Sequence, residues 1–307
     1  MNTENGYNKD LEIMMNEHKM PDSTVSRLID NGVTEYENVK LEENQYLIVK
    51  DLNNEIVDKQ GKQDYEVLAI FLNKNNELIP LLNNHMRIYN KWIDSIGPRN
   101  PEQICLFDAL NRKTNSIISV NGGYGTGKSF ILNNFAIQEL EREKISKIVY
   151  VPNNAFTQDT MEIGALPGEI LAKVEGQIGP LIDLVGIDQV QRWIEQEQLE
   201  IVPMGFIRGR SFQNSIIIVN EAQNLTEDHI KLLIARCGEN SRIFFDGDYK
   251  QTDSAIFKNK NGLKLLLNLH NSPIYSKIFA NVRMKTIERS LTAQAATYLD
   301  ENCGSFD

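Results

Sequence analysis

The chain has 307 residues, 41% of them hydrophobic and 24% charged, with a formal net charge of −10. That length holds one large or two modest domains, and those proportions exclude a fibrous or wholly disordered polypeptide. The acidic balance excludes a surface coated in positive charge for nonspecific nucleic-acid binding. No apolar run approaches the roughly 20 residues of a membrane-spanning helix, and the opening MNTENGYNKD has neither region of a signal peptide, so a cytoplasmic location with no membrane partner is expected.

Residues 8–31 carry two short helical patterns; the second, DSTVSRLIDNG, opens on Asp22 and Ser23 as caps and closes near Gly32. From Tyr36 to about Leu82 the pattern turns to short β runs. QYLIVKD and NEIVDK about Asn53-Asn54, then YEVLAIFL and ELIPLL about Asn73 to Asn76, predict two hairpins. The prolines and glycine of DSIGPRNPEQ set a boundary near residue 95, so residues 1–95 form a small α+β module and residues 96–307 a second domain. There the runs NSIISV, KIVYV, LEIVPM, SIIIVN and RIFFDGD alternate with the helical stretches KSFILNNFAIQELERE and EDHIKLLIARCG, which predicts an α/β fold: a mostly parallel sheet flanked by helices. The acidic stretch from Glu195 to Glu200 reads as a solvated helix face. Trp92 and Trp193 read as packing residues in helices. Cys105, Cys237 and Cys303, and the four scattered histidines, have no metal-ligand spacing, so buried free thiols and no structural zinc are expected.

The stretch from Ser119 to Ser129 contains GxxxxGK[ST] after a strand and before an amphipathic helix. Gly122, Gly123, Gly125 and Gly127 let the backbone turn its N–H groups toward phosphate oxygens, with Tyr124 and Thr126 between them, and the helix N-terminus adds a field that favours anions. Lys128 would reach the β and γ phosphates and Ser129 would ligate Mg²⁺. A chance match in a chain of this length is on the order of one per cent. Tyr124 is bulky for such a loop and is a candidate to pack beside the nucleotide. The fold expected is therefore a P-loop NTPase of RecA-like type.

SIIIVNEAQ is a second apolar strand ending in polar groups. Glu221 is a candidate to take a proton from the attacking water, and Asn220 stands where an aspartate would usually help hold Mg²⁺. A carboxamide oxygen still orients a metal-bound water, so weakened rather than abolished metal binding is expected. The third strand runs into DGDYKQTD, where Gln251 is a candidate to sense the γ phosphate or position water.

PRNPEQ, GGYGTGKS, GALPGEILAK, IVPMGFIRGRSFQNSIIIVNEAQN, ENSRIFFDGDYKQTD, GLKLLL and ERS together resemble the PhoH-like family of P-loop ATPases, relatives of superfamily 1 helicases, over about residues 97–302. The resemblance implies that Gln103 reads the adenine edge and favours ATP. It implies that Arg289 acts as an arginine finger, within the chain or across a subunit interface. Arg208 and Arg210 would serve phosphate, nucleic acid or a neighbouring subunit. Residues 20–95 resemble the linker and small β region that joins a PIN nuclease to the ATPase in longer members, and the nuclease itself is not expected in this chain. Two departures weaken the expectation of full turnover: Asn220 replaces the aspartate of DEAQ, and Val151 stands where the family often has arginine.

Two functions follow. The first is an ATPase using Mg²⁺, coupled to remodelling of RNA or single-stranded DNA and working as a homo-oligomer such as a ring. The second is a nucleotide-binding interaction module with weak or no hydrolysis because of Asn220.

Overall fold

Alternation of apolar and polar residues in the N-terminal part builds antiparallel strands, seen in a computed structural model that describes residues 25–29, 32–34, 42–57, 63–75, 77–81, 86–152, 178–249 and 261–289. Strands β1 (Val25–Ile29), β2 (Gly32–Thr34), β3 (Tyr46–Val57), β4 (Gln63–Lys74) and β5 (Glu77–Pro80) form a sheet in the order β2-β1-β3-β4-β5. The helix expected over DSTVSRLIDNG is therefore a hairpin, with Ile29 opposite Gly32. VSRLI is too short to hold a helix alone, and β3 offers it a ladder from Val25 opposite Asp51 to Ile29 opposite Leu47. The earlier helical pattern lies outside the described residues.

The hairpin turn expected at Asn53-Asn54 does not form either. Strand β3 runs on through both asparagines, and a register shift between Asp51 and Glu55 absorbs the extra residues as a bulge. The second hairpin forms where expected, with Lys74 opposite Glu77.

A ribbon of β6 (Ile88–Asn90) and β7 (Ile93–Ile96) follows. Trp92 lies in its turn rather than in a helix, and it packs edge-on against Trp193 with ring centroids 5.0 Å apart. Helix α1 (Pro101–Asn111) starts with proline in its first turn and Asn100 as its cap.

The chain then alternates: β8 (Ile117–Gly122), α2 (Lys128–Glu141), β9 (Lys147–Val151), α3 (Gly179–Val185), α4 (Ile187–Glu195), β10 (Leu199–Ile201), β11 (Ser215–Val219), α5 (Glu227–Ile234), β12 (Arg242–Gly247), α6 (Gly262–Leu265) and β13 (Phe279–Met284). The strands form a six-stranded sheet in the order β10-β9-β11-β12-β8-β13. Every pairing in it is parallel. The acidic stretch expected as a helix face is instead the end of α4, a turn and the start of β10, where Glu200 pairs with Lys147 and Arg210.

Each central strand sends alternate residues to opposite faces. Phe244, Ile218, Tyr150 and Val120 pack with Ile131 and Phe135 of α2, whereas Phe245, Val219, Val149 and Ile243 pack with Ile230 and Leu233 of α5. Full burial of each such side chain contributes about 1.5–3 kcal/mol. The first of these clusters continues without a break into Tyr46, Ile48 and Leu72 of the N-terminal sheet. At that junction the buried Tyr46 hydroxyl donates to Asp108 of α1 at 2.8 Å, and Arg112 braces the same carboxylate from one turn on. Among the described residues no helix is long and apolar enough to cross a membrane. Cys105 is buried and Cys237 half-buried, both as free thiols; burial pushes the Cys237 thiol up to about 11.

Candidate nucleotide-binding site

The loop from Gly122 to Ser129 leaves β8 and enters α2. Gly125 (φ 76°) and Gly127 (φ 95°) adopt left-handed conformations that side chains rarely tolerate. Gly127 caps α2 without a side-chain hydrogen bond, so the first N–H groups of the helix stay available to an anion. Gly122 has a different reason to be glycine: a β-carbon there would lie 2.2 Å from the Met284 carbonyl oxygen of the neighbouring strand.

Lys128 Nζ lies 3.1 Å from the Gly123 carbonyl and 3.7 Å from the Asp246 carboxylate. The Ser129 hydroxyl donates to the other oxygen of Asp246. Thr126 is buried and turns its hydroxyl to the Gly123 carbonyl at 3.0 Å, stiffening the loop from inside. Tyr124 is exposed at the rim.

Gln103 lies in the first turn of α1, buried, with its Oε1 accepting from the Arg99 N–H at 2.9 Å and its Nε2 donating to the Thr126 carbonyl at 3.1 Å. Its carboxamide thus joins the entrance of α1 to the phosphate loop, and it also lines the cavity described below.

At the end of β11, Asn220 donates its backbone N–H to the Val151 carbonyl at 3.2 Å, while Glu221 is left-handed with φ 50°. For a residue with a β-carbon that conformation costs roughly 1–2 kcal/mol. Gln223 supports it: its Nε2 donates to Glu221 Oε2 at 2.5 Å, and its Oε1 accepts the Asp248 N–H at 3.1 Å. Gly247 gives this amide its room, since a β-carbon there would lie 2.8 Å from Gln223 Oε1. The Asn121 side chain accepts the Tyr249 N–H at 2.8 Å, tying the ends of β8 and β12 together. Burial, with the Asp246 and Glu221 carboxylates adding to it, raises the Tyr150 hydroxyl well above the ordinary tyrosine range. Tyr150 therefore stays protonated behind the site.

The segment after β13 closes the opposite side. Glu288 donates its N–H to the Gly125 carbonyl at 2.8 Å and accepts from Asn100 Nδ2 at 2.9 Å. A β-carbon at Gly125 would lie 2.9 Å from the Arg289 side chain. Arg289 thus lies against the phosphate loop of its own chain.

Together these groups surround a cavity of about 550 Å³ whose lining includes Gln103, Tyr124, Gly125, Gly127, Lys128, Ser129, Glu221 and Arg289. Gly122, Gly123, Thr126 and Asn220 do not line it. Gln251 and the Leu166-Pro167-Gly168 stretch lie outside the described residues. Arg208 is exposed and Arg210 is paired with Glu200, and neither lines the cavity.

Among the described residues no group of three or more His, Cys, Asp or Glu side chains is arranged to hold a metal by itself. The oxygen donors at the start of α2 and at the strand ends, namely the Ser129 hydroxyl, the Asp246 and Glu221 carboxylates and the Asn220 amide, nevertheless suit a hard cation that shares its ligands with phosphate.

Asp246, Gln223, Glu288 and Asn121 were not anticipated from sequence. The signal for Asp246 was a carboxylate directly after the apolar run Ile243 to Phe245, in a strand buried from Ile243 on.

The sequence profile of a family described as PhoH-like protein matches residues 95–298. The PhoH-like protein of Bacillus subtilis (strain 168) is 32% identical over 149 residues, 46% of this chain and 45% of that one. Protein PhoH of Escherichia coli (strain K12) is 30% identical over 161 residues, 50% of this chain and 44% of that protein. Protein PhoH2 of Bacillus subtilis is 30% identical over 221 residues, 68% of this chain and 49% of that one. The chain spans a little under half the length of these relatives. A solved structure, the Pif1 helicase from Candida albicans, superposes with a TM-score of 0.35 and 15% identity over 67% of this chain and 44% of that one. With a profile that covers most of the chain and includes the whole phosphate loop and both strand ends behind it, the chain belongs to the PhoH-like family.

Proposed function

We propose that this PhoH-like chain is a cytoplasmic ATPase that binds ATP between the phosphate loop and Gln103, hydrolyses it, and uses the cycle to remodel RNA or single-stranded DNA. The observation that carries the reading is the convergence of Lys128, Ser129, Glu221 and Arg289, from three separate stretches of chain, on one cavity of about 550 Å³. Inward N–H groups and Lys128 take the phosphates. Glu221, held by Gln223, accepts the proton of the attacking water. Gln103 offers an amide that both donates and accepts, as recognition of adenine requires. Gln251 senses the γ phosphate. Arg289 is supplied by the same chain, so charge stabilisation at the phosphates needs no second subunit. A homo-oligomer in this reading serves the nucleic acid rather than the chemistry.

Mg²⁺, when bound with the nucleotide, neutralises charge on the β and γ phosphates; Ser129 and one oxygen-bearing side chain from the strand ends would hold it. With a net charge of −10, contact with nucleic acid is confined to a local patch.

A second reading, a nucleotide-binding interaction module, is favoured by Asn220 at the strand end and by the apolar core that the N-terminal sheet shares with the site. Steady-state phosphate release from ATP and Mg²⁺, with and without single-stranded RNA and DNA, separates the two. The ATPase reading expects turnover that Lys128→Ala abolishes and that one nucleic acid raises severalfold. Tight ATP binding without phosphate release would favour the module.

A further inference from the structure

Asn220, the residue after β11, and Asp246, the penultimate residue of β12, lie at the same height. Val219 is opposite Phe245 in the β11–β12 ladder, so the next residues, Asn220 and Asp246, are level, and Asp246 is in turn opposite Val120 of β8. The sheet order β11-β12-β8 puts Asp246 one strand nearer to the phosphate loop, about 4.8 Å. Asp246 is on the face of the sheet that carries α2, since it follows Phe244 by two and Phe244 packs with Phe135. Its two oxygens are engaged by the two residues that open α2: Ser129 donates to one, and Lys128 lies 3.7 Å from the other. Its exposure is 3%.

We propose that Asp246, rather than Asn220, supplies the carboxylate that holds Mg²⁺ beside Ser129 in this protein. The assignment rests on the nucleotide-site reading above and adds to it a metal-positioning residue on a different strand. A carboxylate this deeply buried is costly unless a cation stays with it. Here Lys128, 3.7 Å away, is that cation. With phosphate bound, Lys128 would turn toward it, and Asp246 with Ser129 would hold a divalent ion in its place. The negative charge missing at Asn220 is thereby restored one strand over, at a position where the ladder already puts it closer to Ser129.

The test is an equilibrium titration of a methylanthraniloyl ATP analogue into the full chain, with Mg²⁺ varied and with a metal-free arm in EDTA. Asp246→Asn keeps the shape and an oxygen acceptor for Ser129. It is expected to raise the Mg²⁺ midpoint tenfold or more while leaving metal-free nucleotide affinity unchanged or tighter, and adding Asn220→Asp to it is expected to bring the midpoint back within threefold of the native value. Asn220→Asp alone, which avoids disturbing the buried carboxylate, is expected to move the midpoint by less than threefold because the position is already served. A midpoint unchanged by Asp246→Asn in a folded protein, or tightened tenfold by Asn220→Asp alone, overturns the proposal. Absence of analogue binding to the native chain both with Mg²⁺ and in EDTA overturns the nucleotide-site reading itself, and this assignment with it.

Discussion

At the scale of single residues, the site depends on side chains that do not line the cavity. Gln223 is the clearest, because one carboxamide holds the Glu221 carboxylate and the Asp248 backbone, and so ties the end of β11 to the end of β12. Without it, Glu221 keeps a strained left-handed backbone but loses the partner that aims its carboxylate. Gln223→Ala is expected to lower kcat by about 10–100-fold while nucleotide affinity stays within about threefold, since the phosphate loop is untouched. Phosphate release paired with a nucleotide titration checks this. Equal losses in both would assign Gln223 to binding instead. Gln103 does line the cavity, and its amide is also bonded to Arg99 and Thr126, so the candidate adenine-reading residue braces the phosphate loop as well.

At the scale of elements, the seam between the N-terminal sheet and β13 carries a pH dependence. His270, in the short helical segment before β13, packs at a tilt against Phe279 with centroids 4.7 Å apart and lies 3.2 Å from the Glu43 carbonyl through Nδ1. Its Nε2 is buried without a hydrogen-bond partner among the described residues, so a proton there would be a stranded donor. Burial accordingly lowers the imidazole to about 4. The unfolded chain protonates this histidine near pH 6.5, and the folded chain resists until about 4. Stability from this group is therefore complete above about pH 6.5 and falls as the pH drops toward 4, by about 2 kcal/mol between pH 7 and pH 5. Urea unfolding at the two pH values measures it, and His270→Leu is expected to flatten the difference by that amount. An unchanged slope in the variant would assign the acid sensitivity elsewhere.

Elements also show why sequence was legible in some places and not in others. The phosphate loop, β8, β9, β11 and β12 could be read because a strand buried on both faces is a continuous apolar run and its end is marked by glycine or by polar groups. Strand β13 carries Asn281 and Arg283 inside its run and lies at the sheet edge, so its pattern is broken although it pairs with β8 from Phe279 to Met284. VSRLI was misread because five residues fit both periods, and a long-range partner, β3, decides between them. Asp246 was passed over for a related reason: on its own strand it is an isolated polar residue, and only the three-dimensional approach of Ser129 gives it a role.

At the scale of the molecule, the two sheets share one apolar cluster that runs from Tyr46 and Leu72 through α1 to Phe244. A shared core implies a shared unfolding transition. Calorimetry is expected to show one peak, and Tyr46→Phe, which removes the hydroxyl from Asp108, is expected to move that peak down as a whole by about 1–2 kcal/mol of stability. Two peaks, with only the lower one displaced, would show that the N-terminal sheet melts on its own.

The contact between the Glu288 N–H and the Gly125 carbonyl has a mechanical consequence. Thr286 donates to Glu102 and Asn100 to Glu288, so the strap after β13 is fastened both to the start of α1 and to the crest of the loop. Displacing residues 286–289 would therefore move the start of α1 and the Gly125 carbonyl together. Strap and loop crest thus form one mechanical unit, in which a shift at Glu288 would reshape the backbone around Gly125.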